Sequence, residues 1–283
     1  YLGHQTDTLS LNLTNDRNLT IALDKRAYME DEVLVQSTRA DRGTPTTYTN
    51  VDKATLEEEN DGQNMPAILA HQPSVVSSSN GGMDIGYTDM RIRGVSQTRV
   101  NVTINGIPLN DAESQGVFWV NIPDIAAYAE SIQIQRGVGT STNGAAAFGA
   151  TVNLETAGFE QEPFVKVNNS YGSFNTIRNN VRFGTGLMDN NWSFQGSFSR
   201  IESSGYIDRA SSDLKSYYLT GGYYGDKTIV KGIAFGGREE TYQAWLGVPE
   251  RKMGRFASGQ QYLGDLAEPV QSLFGNDPAT DQG

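Results

Sequence analysis

The residues of this 283-residue chain that are chemically able to act are 33 carboxylates, two histidines and one glycine-rich run. His4 and His71 lie far apart and have no metal-ligand spacing. No metal or cofactor is therefore expected. The run Gly137-Val138-Gly139-Thr140 through Gly144 has the glycine content of a phosphate loop. Such a loop needs Gly-Lys-Ser/Thr opening a helix, however, and no lysine is near. No spacing among the carboxylates selects a pair for acid–base hydrolysis. Nor does any serine stand in a nucleophile elbow with a histidine partner elsewhere. The absence of cysteine excludes thiol catalysis, thiolate metal sites and disulfides. A net charge of −11 argues against nucleic acid, whose phosphates call for a basic surface. Catalysis finds no support, so function is to be sought in binding or transport.

The elements that would position such a function fall into four segments. In residues 1–29, Leu9, Leu11 and Leu13 alternate with polar residues, and so do Leu19, Ile21 and Leu23. Asn15-Asp16 lies between them, a hairpin pattern. Residues 30–45 open with Glu30-Asp31-Glu32, pass through Val33-Leu34-Val35 and end in polar residues and Pro45. A short extended run of this kind can add itself to an exposed sheet edge. Residues 46–156 mix short helices and strands. Asp61 is placed to cap a helix over 63–71, with Met65, Ile68 and Leu69 on one face. Strands are expected at 89–93, 100–104, 131–136 and 150–155, and Asn105-Gly106 is a turn signal. Ile122-Pro123-Asp124 opens a helix through Tyr128. The acidic run Glu57-Glu58-Glu59 reads as a solvated face.

Residues 163–283 change character. Trp192, Phe194, Gly196 and Phe198 alternate with Ser193, Gln195, Ser197 and Ser199. Ile177, Val181 and Phe183 share one face, while Arg178, Asn180 and Arg182 share the other. Ile229, Lys231, Ile233 and Phe235 alternate with Val230, Gly232, Ala234 and Gly236. This dyad pattern is that of barrel strands with lipid on one side and a polar lumen on the other, although a soluble sandwich alternates too. Tight turns are expected at 188–191 and 225–227, and long loops at 203–216 and after 241. Mean hydropathy is −0.46, and no apolar run approaches the roughly 18 residues of a spanning helix. That leaves a β-barrel open, because its alternation averages out as hydrophilic.

Two stretches, MRIRGVSQTRVNVTINGIPLND at 90–111 and IQIQRGVGTSTNGAAAFGATVNLET at 132–156, each hinge two β-like runs on an Arg-Gly pair. With the alternating strands behind them, they resemble the plug domain of TonB-dependent outer-membrane transporters followed by the first strands of the barrel. The implied fold class is an α+β plug domain followed by antiparallel transmembrane β-barrel strands. About five strands are visible, against about 22 in a closed transporter barrel, so the barrel is incomplete in this chain. The chain begins at Tyr1 without Met or signal peptide and stops in the polar run 275–283, which fits a fragment. Residues 1–29 resemble the end of a carboxypeptidase-regulatory-like β-sandwich of the Bacteroidetes type.

The resemblance implies import of a scarce solute across the bacterial outer membrane, without chemistry on it. The motif at 91–111 resembles the iron-siderophore and cobalamin branch more than the glycan branch, and a ferric siderophore or related iron complex is the ligand favoured. A glycan or peptide importer working with a surface lipoprotein is the alternative, and a secreted β-rich binding module is a more distant one. Partners would be TonB, the ligand and outer-membrane lipid. Asp31, Glu32, Val33, Leu34, Val35, Gln36 and Ser37 would be the TonB-binding strand. Three plug loops, at 77–86, 96–98 and 110–121, would face the exterior. They present Asn80, Asp84, Gln97, Asp111, Glu113, Gln115, Phe118 and Trp119 to the ligand. Phe118 and Trp119 equally suit packing against the barrel wall. Arg93 and Arg136 would pair with acidic residues on the inner wall.

Overall fold

A computed structural model describes residues 39–242 apart from 139–147, 157, 189–190 and 226–227, together with residues 8, 18, 20 and 21. Apart from those four positions, the N-terminal hairpin lies outside the described residues. So do the strand at 31–37, most of the glycine-rich run and everything after 242.

The first layer is a five-stranded sheet in the order β1-β6-β7-β4-β5, built from β1 (Thr47–Asp52), β4 (Val100–Ile104), β5 (Ile107–Pro108), β6 (Ala129–Arg136) and β7 (Ala150–Thr156). Only β4 and β7 run parallel. A separate hairpin pairs β2 (Val75–Ser79) with β3 (Thr88–Ile92). On one face of the sheet Val100, Val102, Ile132, Ile134, Val152 and Leu154 are buried against Leu56, Ile68, Leu69, Met90 and Trp119. The alternate residues Asn101, Thr103, Gln133, Gln135, Thr151 and Asn153 are buried too. Several of them are held by side-chain hydrogen bonds, whereas Asn101 Nδ2 and Thr151 Oγ1 are buried without a protein partner. Thr103 Oγ1 donates to Asn153 Oδ1 at 2.7 Å, and Gln133 Nε2 donates to Asn50 Oδ1 at 2.8 Å. Buried polar groups without such partners would each cost about 1–3 kcal/mol.

Helix α1 (Lys53–Glu59) follows β1 without a break, because the Asp52 carboxylate accepts the Thr55 backbone N–H at 2.9 Å. Helix α2 is only Met65–Leu69, and Asn64 at its N-cap position makes no side-chain capping bond. Thus the helix expected over 63–71 is shorter than its apolar stripe suggests, and Asp61 does not cap it. The helix expected after Pro123 is a single 3₁₀ turn, Ile125–Tyr128, entered through Asp124 in the left-handed region at φ 56.

The second sheet is a meander, β12-β11-β10-β9-β8, comprising β8 (Phe164–Gly172), β9 (Thr176–Gly184), β10 (Trp192–Ser203), β11 (Ser212–Tyr224) and β12 (Ile229–Thr241). One face of it meets the plug. On β9 and β10 the polar series Arg178, Asn180, Arg182, Ser193, Gln195, Ser197 and Ser199 is buried, whereas Val181, Trp192, Phe194 and Phe198 are exposed. Apolar groups outside and polar groups inside is the inverse of a soluble sandwich, and it is what lipid demands. Connections alternate less cleanly than expected. The segment 173–175 is short, and it lies at the same end as the longer 204–211. Strand β11 begins at Ser212, well before the predicted end of that loop at 216.

Candidate functional site

The plug meets the barrel wall through one buried carboxylate. Asp124 is fully buried and the Arg178 side chain is 6% exposed. The guanidinium reaches Asp124 through Nη2 at 2.9 Å and through Nε at 3.2 Å to each oxygen. Arg178 Nη1 also donates to the Asn60 carbonyl at 3.1 Å, and Asn60 Nδ2 donates to Asp124 Oδ1 at 2.8 Å. Ser199 completes the set by donating its hydroxyl to Asp124 Oδ2. Asn180 in turn donates to the Ser199 Oγ at 2.6 Å and to the Ser197 Oγ at 3.0 Å. Gly62, at φ +110, lets the backbone lie against the Arg178 stem, where a Cβ would stand 3.1 Å from Cδ. Nearby, Tyr128 of the plug stacks on Tyr218 of the wall with ring centroids 4.3 Å apart. Burial, with the Asp124 charge next, pushes the Tyr128 phenol well above its usual range, so it stays neutral.

A second pair sits nearer solvent. Arg182, on the same face of β9, donates to Glu57 Oε1 at 2.8 Å, and Lys166 Nζ lies 3.8 Å from the same oxygen. Glu57 is 41% exposed. The acidic run is thus a docking edge rather than only a solvated face. A polar cavity of about 350 Å³ opens beside it, lined by Glu57, Asn60, Lys166, Arg178 and Arg182 among others. The sequence reading missed Asp124, Arg178 and Glu57 as interface residues. A signal for Arg178 existed, since Arg178 and Arg182 stand four residues apart on the lumen face of one strand; Asp124 and Glu57 carried none.

Arg93 and Arg136 are placed differently from the expectation. Arg93, at φ 53, donates Nη1 to the Arg136 carbonyl at 3.2 Å. Arg136 donates Nε to the Pro73 carbonyl at 2.9 Å and Nη2 to Thr49 Oγ1 at 2.5 Å. These contacts lie inside the plug. Among the described residues, the plug–barrel ion pairs run the other way, from wall arginines to plug carboxylates.

The predicted ligand loops divide. Gln97 donates to Asp89 at 2.6 Å, and Gly116 of the 110–116 loop lies against the Gln97 side chain. That loop is internally braced. Asp111 Oδ1 accepts the backbone N–H groups of Glu113 and Ser114, at 3.0 and 2.7 Å, and these bonds hold its carboxyl below the usual carboxylate range, Ser114 foremost. Asn110 Nδ2 donates to the carbonyls of Val100 and Gln115, both at 2.9 Å, and Gln115 adopts φ 57. Asp111, Glu113 and Gln115 are exposed, as is Phe118 at 45%. Trp119 is 2% exposed and belongs to the plug core; it is not available to a ligand in this structure. Asn80 and Asp84 sit in the loop 80–87, which packs on Ala210 and Tyr206 of the barrel connection 204–211. There Asn80 N–H bonds the Tyr87 carbonyl, while Asp84 N–H bonds Ser79 Oγ and its carbonyl accepts from Asn64.

The chain reaches this assembly from the opposite end. Arg39 donates to the carbonyls of Ser131 and Asn153 and pairs with Glu155 at 3.1 Å, beside the point where β7 leaves for β8. Ala40 exchanges two hydrogen bonds with the Gln133 side chain.

A small mixed domain seated against an antiparallel sheet that wears its apolar face outward is the architecture of a plug with barrel strands. Residues 40–151 match the family model described as TonB-dependent Receptor Plug Domain. No curated protein sequence matches the chain. Among solved structures, it resembles the pyoverdine outer membrane receptor FpvA from Pseudomonas aeruginosa PAO1, with 18% identity and a TM-score of 0.59 over 71% of this chain and 28% of that one. The siderophore receptor PirA from Acinetobacter baumannii gives 16% identity and a TM-score of 0.56, covering 73% and 32%. The copper transporter OprC gives 17% and 0.57, covering 70% and 32%. The chain spans about a third or less of the length of these structures. The fold class is an α+β plug followed by antiparallel barrel strands, with the barrel unclosed.

Proposed function

We propose that the chain is the N-terminal part of a TonB-dependent importer of the bacterial outer membrane, and that its cargo is a ferric siderophore or related iron complex. The observation that carries this reading is the plug held inside the wall by Asp124 and Arg178, with the N-terminal segment arriving at the opposite end from the exposed loops. A solute captured by Asp111, Glu113, Gln115, Gln97 and Phe118 on one side is then linked through the plug to a strand, 31–37, on the other. TonB adds to that strand by backbone pairing and pulls. The protein does no chemistry on the solute. PirA is named as a siderophore receptor and the pyoverdine receptor as a ferripyoverdine receptor, which supports the iron reading, whereas OprC is named for copper and supports a metal complex more broadly. The alternation in residues 1–29 supports the end of a regulatory-like β-sandwich of the Bacteroidetes type ahead of the plug.

The test separates binding from energised uptake. Replacing Leu34 by Pro removes a backbone N–H from the added strand. Energy-dependent uptake of the iron complex should fall to background while surface binding stays intact. Uptake at the wild-type rate would remove residues 31–37 from the mechanism.

A further inference from the structure

The outward face of β10, β11 and β12 is layered by residue type. Read across the strands, four apolar rows follow one another: Trp192, Tyr223, Val230; then Phe194, Gly221, Gly232; then Gly196, Leu219, Ala234; then Phe198, Tyr217, Gly236. The next row is Arg200, Lys215, Arg238, and the one after it is Glu202, Asp213, Glu240. These six side chains are 41–74% exposed except Asp213, which is 28% exposed.

Mutual pairing does not account for that order. Directly opposed residues on neighbouring antiparallel strands are in contact, and like charges there are destabilising. Charges arranged only to neutralise each other would alternate along each row. Here the three cations oppose one another, and so do the three carboxylates. The bridges that do form run along the strand or diagonally: Arg200 to Glu202 and to Asp213, Lys215 to Asp213 at 3.4 Å, and Arg238 to Glu240. Exposed pairs of this kind hold weakly and exchange partners readily. A segregated cation layer directly bordering an apolar band matches a partner that is itself layered, with acyl chains and then an anionic headgroup.

We propose that Arg200, Lys215 and Arg238 form a docking row for the phosphates of an outer-leaflet membrane lipid, with Phe198 and Tyr217 against its acyl chains and the carboxylate row as the cations' resting partners. The row lies at the end of the sheet that carries the 204–211 connection and the plug loop 80–87, away from Arg39. The leaflet is therefore the external one. The inference rests on the outer-membrane barrel reading and adds to it a headgroup class.

The test uses the full-length protein in phosphatidylcholine vesicles, with or without a diphosphorylated disaccharide lipid, and measures lipid retained after detergent wash by mass spectrometry. Electrostatic attraction of this kind is worth about fivefold in retention per cation at the surface. The triple variant R200Q/K215Q/R238Q should therefore lose its preference for the phosphorylated lipid while still inserting and showing heat-modifiable mobility. The variant E202Q/D213N/E240Q, which frees the cations, should retain more of it than wild type. Wild-type preference in the first variant, or a loss in the second, would overturn the docking row. Failure of the wild-type protein to insert at all would overturn the barrel reading instead, so the two failures are distinct.

Discussion

Asp124→Asn tests whether the plug is held by charge or merely by shape. Asparagine is isosteric and tolerates the left-handed backbone at φ 56, so the substitution removes charge without adding backbone strain. Arg178 would keep its bond to the Asn60 carbonyl but lose the counter-charge that three of its hydrogen bonds reach. Both side chains are almost fully buried, so a guanidinium stranded there costs about 3–5 kcal/mol. At about 1.4 kcal/mol per factor of ten, the population with the plug unseated should rise about 10²- to 4 × 10³-fold. Proteolysis of the plug in native membranes reads that population when opening is fast relative to cleavage. Glu57→Gln is the internal scale. Glu57 is 41% exposed, and a pair open to solvent on one side contributes about 0.2–1 kcal/mol. Adding Arg178→Met to Asp124→Asn should recover much of the loss, since an apolar replacement of the whole pair is often neutral. Equal effects from Asp124→Asn and Glu57→Gln, or strict additivity in the double variant, would refute the argument from burial.

Two further outcomes follow from the same geometry. Phe194→Arg puts a cation in the middle of the outward apolar rows and should lower barrel stability by about 2–4 kcal/mol, read by urea unfolding in lipid; a neutral effect would mean that this face does not meet lipid. At the exposed ligand loop, the Asp111 carboxyl is held below its ordinary value of 3.8 by the Ser114 N–H. A depressed carboxylate contributes order that is complete above the unfolded value and lost as pH falls through the folded one. The Ser114 amide resonance should accordingly stay fixed from neutral pH down to about 4 and shift only below it; movement near pH 6 would contradict the bond.

How much of this was legible beforehand depended on periodicity. Strands β9, β10 and β12 could be read from alternation alone, because lipid and lumen impose opposite chemistries on successive residues. The plug strands flanking the Arg-Gly pairs were equally visible. Less visible were α1, whose cap is Asp52, and the brevity of α2. Short elements inside a plug take their limits from packing, so local propensity does not fix them. Trp119 was ambiguous for a plain reason: a bulky aromatic beside Phe118 suits a ligand and a core equally well, and only burial separates the two.

By itself, the sequence determined the segmental plan: a mixed plug with its turn glycines, then strands of period two with an apolar face and a polar face. Those follow from local backbone preferences and from what each face must meet. Which charges would meet was decided only in the tertiary structure. Arg93 and Arg136 stand next to the conspicuous glycines yet turn to plug acceptors, while Asp124, read only as part of a helix start, becomes the buried partner of Arg178. Ion-pair partners 54 residues apart carry no mark in either local sequence, since the pairing exists only once the sheet has wrapped around the plug and excluded water from the contact.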